Sequence, residues 1–208
     1  MKILVLGATG GTGLEIVRQA IEHGHAVTAL VRSPEKLRPF GDRVLVVQGD
    51  LLDSSSLERA LKDHDAVLSG FGPRVPISKD DAHLLERFAN VLTGAMQRAH
   101  VRRVVVESVA FLFKDSIIPP AYLFGRIFFR DLVADSAEME GVITKSGLDW
   151  TIVRPPKLTD EPRTGKYRVR EGHLPLFGFQ ISRADVADFA IKSVEEHASI
   201  GKIVGVCN

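Results

Sequence analysis

Among the residues able to hold a ligand, three glycines stand out, at Gly7-x-x-Gly10-x-x-Gly13 in the stretch GATGGTG. A glycine pattern alone is weak evidence. This one follows an apolar run (KILVL, residues 2–6), opens a helical pattern and leads to a second apolar run. In that setting each glycine has a task. Gly7 permits a tight turn, Gly10 lets the backbone approach a diphosphate, and Gly13 lets the helix lie close to the strand. Thr9 and the amides of Gly11, Thr12 and Gly13 then face anionic oxygens at the positive end of a helix dipole, and the Thr12 hydroxyl adds a donor. The expected chemistry is the gripping of a dinucleotide.

The second run ends on Arg32, 19 residues past Gly13. An acid there would bind ribose hydroxyls and repel a 2′-phosphate. VRSPEK offers Arg32, Ser33 and Lys36 instead. A guanidinium grips phosphate through two parallel donors, so the residues favour NADP(H), with NAD(H) as the alternative. In GDLLD (49–53), Asp50 is placed to accept from the adenine amino group and Leu51 to bracket the ring. Ser69, Gly70 and Phe71 close another apolar run, where backbone must pass close to the cofactor.

These residues need a frame. Short apolar runs at Lys2–Leu6, His25–Val31, Arg43–Gln48, Asp65–Ser69, Arg103–Glu107, Trp150–Arg154 and Lys202–Val206 read as strands. Helical patterns lie between them, at Gly13–His23, Ser54–Leu61, Asp80–His100, Leu132–Ser146 and Arg183–Glu196. Near-continuous apolar strands alternating with helices mean a parallel sheet covered on both faces. The expected fold is therefore α/β: a doubly wound parallel sheet (Rossmann fold) of about seven strands with helices on both faces, binding its ligand at the carboxyl ends of the strands. One domain over 1–208 is expected, with 155–180 as a substrate-side insertion rich in Pro, Gly and charge.

The bulk properties exclude several classes. Net charge is +1, which gives no pull toward nucleic acid or membrane. No apolar run approaches the ~18 residues of a membrane span. The single Cys207 cannot form an internal disulfide, and MKILVLGATGG runs into a strand without a leader pattern, so a cytoplasmic protein is expected. The histidines at 23, 25, 64, 83, 100, 173 and 197 are scattered; His23 and His25 flank a turn, which is not enough for a metal site. No Gly-x-Ser-x-Gly elbow occurs.

GATGGTG (7–13), VRSPEK (31–36), GDLLD (49–53), VVVESVAFL (104–112), SGLDWTIVRPP (146–156) and SRADVADF (182–189) span the chain in order. By these the chain resembles the atypical short-chain dehydrogenase/reductases. Within them it is similar to the NmrA-like and flavin reductase/biliverdin reductase B group. The resemblance implies a nicotinamide pocket made by Ser108, the loop after it and Pro155-Pro156. It also implies hydride transfer to a flat aromatic acceptor such as a flavin or an open-chain tetrapyrrole.

Carbonyl reduction in this superfamily uses Ser with Tyr-x-x-x-Lys, in which Lys lowers the phenol's pKa. This chain has two tyrosines, Tyr122 and Tyr167. Tyr122-Leu-Phe-Gly-Arg126 mimics the spacing, but an arginine replaces the lysine poorly. Counting back from SGLDW puts the family's two positions near Leu132 and Ser136, which carry no phenol or amine. Without a proton donor, reduction of a plain ketone leaves a costly alkoxide. A flavin or conjugated pigment spreads the charge and takes its proton from solvent. Ser108 is the catalytic candidate, orienting the nicotinamide or the acceptor. Phe111, Phe113 and Tyr122, in the aromatic stretch 110–129, are the candidate walls of a planar slot; an oligomer contact is their other use. His173 is a possible acid in a variable segment, and Arg183 and Asp185 are expected to cap and anchor the last helix.

The expected function is an NADPH-dependent oxidoreductase passing hydride to a flavin-like, quinone or tetrapyrrole acceptor without a Tyr-x-x-x-Lys pair. The alternative is a non-catalytic NADP(H)-binding regulator or redox sensor of the NmrA-like kind. A small planar aromatic acceptor is the expected partner, with no nucleic acid or membrane, in a monomer or homodimer. A sugar-nucleotide epimerase fails on the missing pair and on the ~25 residues free to build its site.

Overall fold

The first strand, β1 (Lys2–Leu6), is buried on both sides. Ile3 and Val5 enter one apolar layer, Leu4 and Leu6 the other. Every later element is arranged around these two layers. The computed structural model describes residues 1–72, 83–113, 127 and 129–208. After β1 come α1 (Gly11–Glu22), β2 (Ala26–Val31), a 3-10 stretch over Glu35–Arg43, β3 (Val44–Gln48), α2 (Ser54–Leu61), β4 (Ala66–Ser69), α3 (Leu84–Arg98) and β5 (Arg103–Glu107). A 3-10 turn at Ala110–Leu112 leads on to α4 (Arg130–Thr144), β6 (Asp149–Arg154), β7 (Lys157–Thr159), β8 (Arg168–Glu171), β9 (Gln180–Ser182), α5 (Arg183–Glu196) and β10 (Lys202–Cys207).

The main sheet runs β3-β2-β1-β4-β5-β6-β10-β8. α1 and α5 cover one face; α2, α3 and α4 cover the other. The strand order turns back at β1, and this is where an open α/β sheet leaves a crevice. The register makes that concrete. Leu6 stands beside Leu30 and Ser69, so Gly7, Arg32 and Gly70 all leave the sheet at one edge. Local chemistry sets the element ends. Asp53 caps α2 by accepting from the amides of Ser55 and Ser56, and the Ser182 hydroxyl caps α5 by accepting from Asp185 N at 2.9 Å. On α4, Asp135 reaches across to accept from Leu85 N (2.9 Å) and Glu86 N (3.0 Å), which fixes the start of α3.

The expected doubly wound sheet is present, with a strand more than the seven anticipated. The extra member, β8, is antiparallel to β10 and comes from the segment read as irregular. Its residues, Arg-Val-Arg-Glu, are all exposed, so an edge strand leaves no apolar signature. In the same segment, β7 and β9 form a two-stranded parallel ladder of three residues each, too short for any periodicity to register. Among the described residues, no helix is long and apolar enough to cross a membrane.

Phe88 of α3 is fully buried, with its ring centroid 4.7 Å from that of Phe71. Phe88→Ala is expected to cost about 3–5 kcal/mol of stability, read as a lower urea midpoint at unchanged slope. A loss under about 1 kcal/mol would show that this layer collapses to fill the hole.

Candidate functional site

The glycine loop sits between β1 and α1. Gly7 has φ +69°, and a Cβ on Gly13 would stand 2.1 Å from the Gly7 carbonyl oxygen. The turn therefore requires glycine at both places. Gly10 is the N-cap of α1 and makes no side-chain capping bond, and the first turn holds no acid. The start of α1 thus keeps amides to offer an anion, with no carboxylate on its own turn to repel one. On the neighbouring strand the Gly70 amide is tied to Leu6 O at 3.1 Å, which brings Gly70 and Phe71 against Gly7. Ser69 is buried, and its hydroxyl accepts from Phe71 N.

At the edge formed by β2, Arg32, Ser33 and Lys36 are exposed. Lys36 reaches over the glycine loop and donates to Thr9 O at 3.0 Å, so the basic cluster and the loop form one surface. The adenine bracket is less open than its sequence implied. Asp50 Oδ1 accepts from Leu52 N at 2.9 Å and organises its own turn, while Leu51 is 9% exposed and packs into the core beneath.

Ser108 follows β5, and its hydroxyl is not loose. It donates to Glu140 Oε1 of α4 at 2.6 Å. Glu140 also receives Arg154 of β6 in a two-pronged ion pair, and the Arg154 guanidinium carbon stands 4.5 Å over the Phe113 ring. The side chains of Arg154 and Glu140 are 12% and 7% exposed. Phe113 is therefore a core side chain beneath Arg154, 2% exposed, rather than an open wall. Phe111 is only partly buried and stacks on Phe129, centroids 5.8 Å apart and planes at 12°. Pro155 is buried and its carbonyl accepts from Ala110 N at 3.1 Å; Pro156 is half-buried beside it. Leu132 and Ser136 lie on α4 as counted, and Ser136 Oγ is buried without a hydrogen-bond partner. Tyr122, Phe124, Arg126 and Phe128 lie outside the described residues. Tyr167 donates to Asp188 of α5 at 2.8 Å, and burial together with that carboxylate pushes its phenol far above the usual range.

Two residues join the site that sequence reading left out. Arg183 does not cap α5. Its side chain lies over the glycine loop, where a Cβ on Gly11 would meet Arg183 Cδ at 2.5 Å, and it pairs with Asp160 at 2.6 Å. A cation in the first turn opposes the helix dipole, and that mismatch was the available signal. Asp185 does anchor, accepting from Thr164 N (2.9 Å) and Gly165 N (2.8 Å) of the 155–180 segment. The second addition is Glu107, the last residue of β5. Thr12 hydrogen-bonds it, Arg183 lies near, and its Oε2 is buried without a partner. Burial pushes its carboxyl up to about 7, against the pull of Thr12 and Arg183. In the 155–180 segment, Leu176, Phe177 and Phe179 are 69%, 79% and 58% exposed.

A glycine cradle at the turning point of a doubly wound sheet, with a cationic rim and an uncapped helix start, defines a dinucleotide-binding Rossmann protein of the oxidoreductase type. Residues 7–197 match the model of the NAD(P)H-binding family, and the chain belongs to that family. It is 34% identical over 214 residues to an uncharacterized chloroplastic protein of Arabidopsis thaliana, covering 99% of this chain and 76% of that one. It is also 35% identical over 153 residues to the (4-alkanoyl-5-oxo-2,5-dihydrofuran-3-yl)methyl phosphate reductase of Streptomyces griseus, over 74% of this chain and 46% of the relative. An anaerobilin reductase from Escherichia coli O157:H7 has the same fold, with TM-score 0.81 at 20% identity, covering 100% of this chain and 97% of that one.

Proposed function

We propose that the protein is an NADPH-dependent reductase that delivers hydride to a planar conjugated acceptor: a flavin, a quinone or a tetrapyrrole. The observation that carries this reading is the state of the position where carbonyl reductases keep a proton relay. The α4 positions Leu132 and Ser136 offer neither phenol nor amine, and Ser108 is committed to Glu140. Bound NADPH supplies the hydride. The chain's own residues hold the diphosphate on the α1 amides and the 2′-phosphate on Arg32, Ser33 and Lys36. Ser108, through its remaining lone pair, orients the reacting rings. The half-buried Phe111, stacked on Phe129, offers the acceptor an aromatic face, and the exposed Phe177 and Phe179 belong to the segment read as substrate-side. Protonation falls to water, which suits an acceptor that delocalises the incoming charge. The Escherichia coli protein of the same fold is named an anaerobilin reductase, which is in keeping with this reading.

The test is NADPH oxidation with FMN, a quinone or biliverdin offered separately. Turnover with at least one is expected. Tight NADPH binding with no turnover on any of them would overturn the reductase reading. It would favour a non-catalytic NADP(H) sensor instead, a role that Leu132 and Ser136, without phenol or amine, also permit. Specificity has its own test. Arg32→Asp is expected to weaken NADPH binding by about 10–100-fold, the worth of a charge-assisted contact. NADH should change by less than about threefold. Equal losses would remove the 2′-phosphate from Arg32.

A further inference from the structure

The opposite end of the sheet carries a second set of ligating atoms. α1 stops at Glu22 and β2 begins at Ala26, so His23 and His25 bracket the turn between them. That turn is about 18 Å along α1 from the glycine loop. In sequence the nearest carboxylate is Glu22, which the fold pairs with Arg18 at 2.8 Å. The fold brings the third ligand from the far end of the chain: Glu195, in the last turn of α5. His23 Nδ1 lies 3.1 Å and His25 Nε2 2.9 Å from one oxygen, Glu195 Oε1. The three ligand atoms all fall within 4.8 Å of one another. The His25 side chain is recessed, 9% exposed, while those of His23 and Glu195 reach the surface with 28% and 32% exposed.

We infer that His23, His25 and Glu195 form a site for a divalent transition-metal cation, with Zn2+ the best match. Two imidazole nitrogens and one carboxylate oxygen are a familiar zinc donor set, with water in the fourth position. Bonds of about 2.0–2.2 Å in a tetrahedron put ligand atoms roughly 3.3–3.5 Å apart. Both imidazole nitrogens already aim at one point, the carboxylate oxygen. An ion takes that point when Glu195, half-exposed on its helix, draws back by a side-chain rotation. The ligating ring nitrogens must be unprotonated, so any proton they carry moves to the other ring nitrogen or to solvent as the ion binds. The ion joins residues 170 or more positions apart and clamps the end of α1 to the end of α5. The site lies at the opposite end of the sheet from the cofactor crevice and keeps one open, water-filled position.

Untagged protein stripped with chelator is titrated with Zn2+ alone, while bound metal and thermal unfolding are followed. One ion per chain is expected, with Tm raised by about 5–10 °C at 100-fold excess over Kd. His23→Asn and Glu195→Gln should each weaken binding at least tenfold and leave NADPH binding unchanged. Absence of saturable binding, an unmoved Tm, or wild-type affinity in the Glu195→Gln/His23→Asn pair would overturn the site. Should those variants fail to fold, Co2+-loaded wild type decides the matter. The visible spectrum of a tetrahedral centre with nitrogen and oxygen donors supports the site. An octahedral aqua-like spectrum, or a thiolate band from Cys207, refutes it.

Discussion

Glu140→Ala is expected to lower the unfolding free energy by about 3–5 kcal/mol. Three groups converge on this carboxylate: the Ser108 hydroxyl, the Nε of Arg154 and a second Arg154 nitrogen. Truncation leaves a guanidinium with 12% exposure facing the Phe113 ring, without its counter-charge. It also leaves a buried serine without its acceptor. Glu140→Met combined with Arg154→Met should recover most of the loss, since an apolar pair of similar volume carries no orphaned charge. Urea unfolding of the three variants checks this. A loss under about 1 kcal/mol in the single variant would mean that water reaches Arg154 freely. The same change frees the Ser108 hydroxyl to rotate, so kcat should fall more than the affinity for NADPH.

The second large effect concerns Glu107 and pH. Its folded pKa of about 7 lies above the unfolded value of 4.5. Between those values the unfolded chain has lost this proton and the folded chain keeps it. Stability is therefore fully present below about 4.5, declines as pH rises through 7, and levels off above. The loss from this one group is on the order of 3 kcal/mol. Glu107→Gln should flatten that slope and make the protein more stable than wild type at pH 8. A bound diphosphate beside Thr12 favours the protonated acid further, so cofactor affinity should drop by up to about tenfold per pH unit above 7 in wild type and stay level in Glu107→Gln. Calorimetry in buffers of different ionisation enthalpy reads the proton directly. Equal pH slopes in the two proteins would show that Glu107 is not the group involved.

The cradle was legible because its constraint is local. Gly7, Gly10 and Gly13 follow an apolar strand and start a helix, and each feature is written within a dozen residues. The same holds for β1, β2, β4 and β5, whose apolar runs answer to burial on two faces, whereas β3 at the edge keeps an apolar run with Leu45 64% exposed. Arg183, Glu107 and Glu195 were hidden because their meaning depends on residues that are distant in sequence. Arg183 acts on Gly11, Glu107 on Thr12, and Glu195 on His23 and His25. Ser108 is legible as the hydroxyl after β5, yet nothing in its neighbourhood announces Glu140, 32 residues on. Phe113 was drawn toward the cleft by its aromatic neighbours, whereas its partners Leu174 and Cys207 lie far downstream and pull it into a small core of its own.

The contact of Arg183 with the glycine loop carries a consequence for biosynthesis. The cradle leaves the ribosome about 170 residues before the arginine that covers it. Gln19, eight residues beyond Gly11, is likewise held by the Ala184 carbonyl, 165 positions away. A nascent chain can make β1 and α1 early, but it cannot finish the anion pocket until synthesis has passed residue 183 and α5 has docked. Cofactor capture is thus a readout of a docked α5, and a chain cut short before residue 183 should emerge with its phosphate loop uncovered and α1 unsupported.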